Sequence, residues 1–144
     1  AQGFVVKQLG YVDKSKNAAY FSAMAFSSVH LNTDKINALG PVGKKSFHES
    51  MEKAATKGFT NSFLQSVNGH NSTMARKDLT INGIDVHEYL VTYQDQSDKP
   101  RVAKTLYIPD ETEVWFVIID YSKDDAKAEK QSDTCLSSIK IVKK

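Results

Sequence analysis

The segment Thr73–Tyr93 consists of two runs of alternating apolar and polar residues that meet at Asn82-Gly83. An Asn-Gly pair readily adopts positive φ at both central positions of a type I′ turn, so it predicts a two-residue turn between antiparallel strands. Turn length sets the register of the strands, and the register determines which side chains share a face of the sheet. The predicted pairs are Ile81 with Ile84, Leu79 with Val86, Lys77 with Glu88 and Ala75 with Leu90 on one face, and Thr80 with Asp85, Asp78 with His87, Arg76 with Tyr89 and Met74 with Val91 on the other.

The run Val114–Ile119 is apolar at every position, which is typical of a central strand buried on both faces. A single helix covers only one face of a sheet. The run therefore predicts a helical layer on each side.

One of these layers is predicted at Phe47–Val67. Ser46, just before the helix, and Glu49, three residues later, fit a capping box at its start. Asn68-Gly69 fits its end. Its apolar stripe consists of Phe47, Met51, Ala54, Ala55, Phe59, Phe63 and Val67. Gly58 is expected on that stripe, where it either ends the helix or allows close packing. The residues before it, Asn32–Gly43, are expected to form a connector.

The second layer is predicted at Asp124–Ser137, with Ser122 or Asp124 as its cap and Ala128, Cys135 and Leu136 as its apolar positions. The other predicted strands are Phe4–Val12, Ala18–Val29, Val102–Ile108, Glu113–Tyr121 and Ser138–Val142. Ala18–Val29 also has helix-forming residues, and a strand is preferred because it would pair with the first strand. The expected fold is a single α+β domain over residues 1–144, an antiparallel β-sheet sandwiched between helices. A cystatin-like helix wrapped by a curved sheet is the alternative.

Composition excludes several classes of protein. The 144 residues carry a formal net charge of only +2, with lysines and arginines spread along the chain, which argues against nucleic-acid binding. No apolar run approaches the roughly 20 residues needed to cross a bilayer.

The chain begins Ala1-Gln2-Gly3 without Met, which favours a processed, exported protein, periplasmic or secreted. A segment boundary and a cytoplasmic location stay open as alternatives. The single cysteine, Cys135, excludes an internal disulfide and is expected to be a buried structural thiol.

The sequence contains no recognisable catalytic motif. It has no glycine-rich phosphate loop and no Gly-x-Ser-x-Gly segment, and neither a cofactor nor a metal is predicted. His48-Glu49 begins like a zinc-protease helix, but Glu52 stands where the second histidine is needed.

The predicted register does gather one polar group on a sheet face: Arg76, Asp78, His87 and Tyr89. A carboxylate at Asp78 would orient the His87 imidazole, as a general base requires. The group is interpreted either as a solvated or helix-covered polar patch or as a ligand-binding site.

The order of elements resembles that of PsbP-like proteins and of the DcrB-like family of small bacterial lipoproteins and periplasmic proteins. The residues that carry the resemblance are Gly3-Phe4, the hairpin segment Leu79–Ile84, Lys104–Tyr107 and Ser138–Ile141. The resemblance implies an α/β/α sandwich that is extracytoplasmic and non-catalytic. It also implies a lipid anchor if the precursor has a cysteine at its cleavage site.

Two functions are therefore predicted. The first is an exported, non-catalytic accessory domain whose partner is another extracytoplasmic protein. The second is a small-molecule carrier or an enzyme of cystatin-like or steroid-isomerase-like architecture, with a pocket on the sheet face near His87 and Tyr89. A sheet covered on both faces would support the first, and an open concave face would support the second.

Overall fold

A computed structural model of the chain describes residues 6–11, 23–110 and 113–140. The strands are β1 (Val6–Tyr11), β2 (Ala23–His30), β3 (His70–Ile81), β4 (Ile84–Gln94), β5 (Pro100–Pro109) and β6 (Glu113–Ser122). The helices are α1 (Thr33–Asn37), α2 (Gly40–Ser66) and α3 (Ala126–Ser137). Each of the predicted strands before residue 123 overlaps one of these strands.

The described strands form one antiparallel sheet in the order β1-β2-β6-β5-β4-β3. Strand β6 lies inside the sheet between β2 and β5, as its continuous apolar run predicts. Val114, Phe116 and Ile119 are at most 2% exposed. The prediction of a central strand buried on both faces is confirmed.

The β3–β4 hairpin has the predicted turn and register. Asn82 has a φ of 49° and Gly83 a φ of 79°, and Ile81 pairs with Ile84. The pairing of Asp78 with His87 and of Arg76 with Tyr89 follows from that turn. Local turn chemistry was therefore sufficient to place these side chains on one face.

The predicted start of the main helix is wrong. Helix α2 begins at Gly40, and Ser46 lies within it. Pro41 occupies the first turn, where its fixed φ suits a helix start and its missing N–H is no loss. The predicted connector also contains the short helix α1, whose N-cap Asn32 accepts a hydrogen bond from the backbone N–H of Lys35.

The predicted end of α2 is confirmed. Asn68 has a φ of 51°, and the N–H groups of Asn68 and Gly69 donate to the carbonyls of Gln65 and Leu64. These are the two hydrogen bonds of a Schellman motif, with asparagine in the left-handed position. Gly69 is required there because a Cβ would lie 2.8 Å from the Tyr93 ring.

Most of the predicted apolar stripe of α2 faces the sheet, but two positions do not. Phe47, Met51, Ala55, Phe59, Phe63 and Val67 pack against the buried clusters. Ala54 and Gly58 are exposed, and nothing lies within 4 Å of a Cβ built on Gly58. Gly58 therefore neither ends the helix nor permits close packing.

The second helical layer is confirmed, but its cap and the element after it differ from the prediction. Helix α3 is capped by Asp125, whose carboxylate accepts hydrogen bonds from the N–H groups of Lys127 and Ala128, and not by Ser122 or Asp124. Residues 138–140 are not in a strand, so the predicted last strand is wrong over that range. The rest of that prediction lies outside the described residues.

The first hairpin agrees with the prediction where it can be compared. Strands β1 and β2 pair antiparallel, so the strand interpretation of Ala18–Val29 is confirmed from Ala23 onward. Residues 4–5, 12 and 18–22 of the two predicted strands lie outside the described residues.

The sheet is the middle of three layers. Helix α2 packs on one face through Phe59 and Leu64, and α3 packs on the other through Ala128 and Leu136. The predicted α+β fold, an antiparallel sheet between helices, is confirmed. The cystatin-like alternative does not hold, because α3 covers the face that such a fold leaves open. Within the described ranges, no helix combines the length and the apolar character needed to cross a bilayer.

Candidate functional site

The four predicted site residues lie together, and an unpredicted fifth residue, Glu52 of α2, connects them. Its side chain is only 12% exposed. Its Oε1 atom accepts a hydrogen bond from Arg76 Nε at 2.9 Å and another from the Tyr89 hydroxyl at 2.5 Å. Glu52 therefore connects α2 to strands β3 and β4. We call Glu52, Arg76, Asp78, His87 and Tyr89 the Glu52 cluster.

Arg76 is held by acidic groups on two elements. In addition to Glu52, it donates from Nη1 to Asp78 Oδ1 at 2.6 Å. The hydrogen bond to Glu52 is the main reason why the pKa of Arg76 is raised. The guanidinium is thus a fixed positive charge that neutralises Glu52 and Asp78.

Both ring nitrogens of His87 have neighbours in the cluster. Nδ1 lies 2.7 Å from Asp78 Oδ1 and 2.9 Å from Arg76 Nη2, so it either donates to the carboxylate or accepts from the guanidinium. Nε2 lies 3.8 Å from Glu52 Oε2. The ring also stacks on Tyr107, with centroids 6.0 Å apart. His87 is therefore oriented and enclosed on several sides.

Within the cluster, the pKa values of the two carboxyl groups are lowered and the pKa of the Tyr89 phenol is raised. Burial alone would raise the pKa of Glu52, but the hydrogen bonds from Arg76 and Tyr89 outweigh it, and the pKa is lowered. The hydrogen bond from His87 is the main cause of the lowered pKa of Asp78. Burial, followed by the hydrogen bond to Glu52, raises the pKa of Tyr89. At neutral pH the cluster therefore contains two carboxylates, a guanidinium and a neutral phenol.

A shallow groove of about 310 Å³ lies beside the cluster, at the turn end of the β3–β4 hairpin. Its lining residues are Asp78, Leu79, Thr80, Asp85, Val86 and His87. Of the predicted site residues, only Asp78 and His87 border the groove. Tyr89 is 7% exposed, donates to Glu52 of α2 and does not line this groove.

A second polar cluster, missed by the sequence analysis, lies at the opposite end of the same face. Asp120, which is 3% exposed, accepts hydrogen bonds from the Tyr93 hydroxyl at 2.7 Å and from Arg101 Nη2 at 2.6 Å. Burial outweighs these bonds and raises the pKa of Asp120. The only sequence signal was an acidic residue following the apolar run of β6, which does not identify its partners.

The described ranges contain no group of three or more His, Cys, Asp or Glu side chains that could hold a metal ion. The lone thiol of Cys135 is half-buried in α3, and burial raises its pKa. A raised pKa disfavours the thiolate, which is the nucleophilic form.

The fold is an α+β sandwich in which a polar cluster joins one helix to the edge of the sheet. Several solved structures resemble it, among them the following two. The protein of unknown function PA94 from Pseudomonas aeruginosa covers 100% of this chain and 88% of its own, with a TM-score of 0.52 and 9% sequence identity. PsbP (CyanoP) from the cyanobacterium Synechocystis sp. PCC 6803 covers 94% of this chain and 82% of its own, with a TM-score of 0.44 and 10% identity.

The likeness to PA94 shows a common fold and carries no function with it. No family model and no curated protein sequence matches the chain. The sandwich architecture that the sequence resemblance implied is present. Family membership and a lipid anchor remain predictions.

Proposed function

We propose that this protein is an exported, non-catalytic accessory domain that binds another extracytoplasmic protein. The observation that carries the proposal is the covering of strands β4, β5 and β6 by α2 on one face and by α3 on the other. A ligand carrier of this size would normally keep a concave apolar pocket for its ligand. Here those faces of the sheet are used for core packing, so recognition is assigned to the outer surface.

The arrangement of His87 also favours a non-catalytic role. A general base needs a nitrogen within hydrogen-bond reach of a substrate or nucleophile. Asp78 and Arg76 hold Nδ1, which leaves only Nε2 for a substrate, and Nε2 lies 3.8 Å from Glu52 Oε2 of helix α2. The hydrogen bonds and ion pairs of the cluster therefore connect α2 to the β3–β4 hairpin.

Strand β3 is the proposed binding surface. It is the outer strand next to β4, it spans 12 residues, and its residues from His70 to Asp78 are all exposed. An edge strand presents backbone N–H and C=O groups to which an extended segment of a partner can add. The charged, exposed side chain of Lys77 opposes self-association at the same edge.

The test is cross-linking in the native host. A photoreactive residue replaces Met74 or Lys77 on β3 and, as the control, Glu129 on the exposed side of α3. We expect one discrete adduct of the same mass from both β3 positions and none from position 129. Equal labelling at all three positions, or no adduct from β3, would contradict the assignment of the surface. Recovery of the full-length gene product in the cytoplasmic fraction would contradict export.

The groove beside His87 supports a second candidate function, a small-molecule site. Its volume of about 310 Å³ lies at the small end of the range for ligand pockets. If the groove binds a ligand, His87→Ala should abolish binding in a fragment screen by NMR, and a denaturation curve should show that the variant remains folded. Binding that survives the substitution would remove His87 from the site.

A further inference from the structure

The turn between α1 and α2 exposes two large apolar side chains next to each other. Leu39 is 51% exposed and Val42 is 85% exposed. Among residues 31–110 and 113–140, the other exposed large apolar side chain is Met74, on β3. We call residues 33–45, which contain Leu39 and Val42, the α1–α2 corner.

Core packing, a hydrogen bond and a proline fix the backbone of the corner. Ile36 is 6% exposed and packs in the core, and Lys44 Nζ donates to Asn37 Oδ1 at 3.2 Å. Pro41 restricts the first turn of α2. A Cβ on Gly43 would lie 2.9 Å from Leu39 Cβ, so the glycine lets Leu39 sit close to the helix. Leu39 and Val42 are thus presented on a structured tip.

The two helices that meet at this tip are rich in lysine. Residues 33–57 contain five lysines, Lys35, Lys44, Lys45, Lys53 and Lys57, against three acidic residues. One of the three, Glu52, is turned inward and paired with Arg76. The outer side of this segment is therefore positive in a chain whose net charge is only +2.

Local contacts account for only part of this composition, since Lys44 donates to Asn37 and Lys45 lies 4.0 Å from Glu49. The first turn of α2 contains no acidic residue, and Lys44 and Lys45 follow that turn. Acidic residues in the first turn would stabilise the helix through its dipole. A valine that is 85% exposed buries too little surface to stabilise the core.

We propose that the α1–α2 corner docks on the surface of a membrane containing anionic lipids. Leu39 and Val42 would enter the headgroup layer, and Lys44 and Lys45 would contact the anionic headgroups. An acidic protein is the less suitable partner. A stable protein interface buries about 800 Å² on each side, whereas two side chains on a convex tip offer far less. Docking of this kind is reversible and leaves strand β3 free for the proposed partner.

The test is sedimentation of the full chain with vesicles, either phosphatidylcholine alone or a mixture with phosphatidylglycerol. We expect binding to the mixed vesicles at low salt, none to neutral vesicles, and release as ionic strength rises. Lys44→Gln with Lys45→Gln should weaken binding about 30-fold. Leu39→Ser with Val42→Ser should weaken it at least about tenfold.

The matched controls are Met74→Ser and Lys77→Gln, which change an exposed apolar residue and an exposed lysine on β3. Both should bind vesicles like the unmodified chain, and denaturation curves should show that all variants remain folded. The proposal is overturned if the unmodified chain does not bind mixed vesicles, or if the controls lose as much binding as the corner variants. It is also overturned if the chain binds soluble polyglutamate but not vesicles, which would indicate an acidic protein partner.

Discussion

At the scale of single residues, two carboxylates with little exposure connect separate elements of the fold. Glu52 receives hydrogen bonds from Arg76 and Tyr89, and Asp120 receives them from Arg101 and Tyr93. Both carboxylates bridge elements that are distant in sequence. Their environments differ, because hydrogen bonding dominates at Glu52 and lowers its pKa, whereas burial dominates at Asp120 and raises its pKa.

Replacing Glu52 by glutamine should lower the free energy of unfolding by about 1.5–3 kcal/mol, the scale of hydrogen bonds to a charged group. The pKa of Glu52 is lowered on folding from an ordinary value of 4.5. Its stabilisation is therefore present above pH 4.5 and is lost as the pH falls through the lower folded value. Urea denaturation from pH 3 to pH 7 should show a smaller acid dependence in the variant than in the unmodified protein.

The control is Glu49→Gln, which removes an exposed carboxylate one turn earlier, 4.0 Å from Lys45. It should change the free energy of unfolding by less than about 0.5 kcal/mol. Equal losses in the two variants would show that the bonds of Glu52 contribute nothing specific.

Asp120→Asn should destabilise the protein by about 1.5–3 kcal/mol, because an amide N–H₂ replaces one of the two oxygens that accept hydrogen bonds from Tyr93 and Arg101. The Asp120 side chain is 4% exposed and that of Arg101 is 16% exposed. Asp98→Asn is the matched control, since Asp98 pairs with His70 at 2.8 Å on the surface, and it should cost less than about 1 kcal/mol. A D120N variant as stable as D98N in thermal denaturation would contradict the importance of the buried pair.

At the scale of elements, Gly83 and Gly58 both have room for a Cβ atom, but only Gly83 has a positive φ. Gly83 has a φ of 79° in the hairpin turn, whereas Gly58 lies inside α2. Nothing lies within 4 Å of a Cβ at either position. Any difference in stability between the two alanine variants therefore reflects the backbone conformation at each site and not a steric clash.

Gly83→Ala should destabilise the protein by about 1–2 kcal/mol because an L-residue is strained at that φ. Gly58→Ala should stabilise it by about 0.5–1 kcal/mol, since alanine restricts the unfolded chain and favours the helix. Guanidinium denaturation of the two variants measures both values. Effects of the same sign would contradict the turn or the helix as described.

At the scale of the whole molecule, the two helical layers depend on the same sheet. Asn82 Nδ2 in the hairpin turn donates to the carbonyl of Ile139, just after α3, at 2.7 Å, while α2 packs on the opposite face. Unfolding of either layer exposes the sheet that supports the other. A single cooperative unit is expected, in keeping with the predicted single domain.

Leu64→Ala in α2 and Leu136→Ala in α3 should each lower the free energy of unfolding by about 2–4 kcal/mol, the usual range for a buried leucine. The two side chains are 9% and 4% exposed. Each variant should still unfold in one transition, monitored in parallel by Trp115 fluorescence and by circular dichroism. Separate transitions for the two signals would show that the layers are independent.

Sequence reasoning worked best where the signal was local. Asn82-Gly83 required a tight turn, and the turn placed Arg76, Asp78, His87 and Tyr89 on one face. Local reasoning failed where two local signals competed. The capping-box residues Ser46 and Glu49 suggested a helix start, yet Pro41 already begins the helix in the preceding segment.

The sequence alone determined the central position of β6, the hairpin register and the presence of a helix on each face, because hydrophobic periodicity and turn chemistry act over a few neighbouring residues. Only the tertiary structure could show that Glu52 joins the predicted polar group, that Asp120 pairs with Arg101, and that Leu39 and Val42 stay exposed. The physical reason is that a charged or apolar side chain gains its partner from whichever element packs against it. That packing depends on the whole chain and not on the residues beside it in sequence.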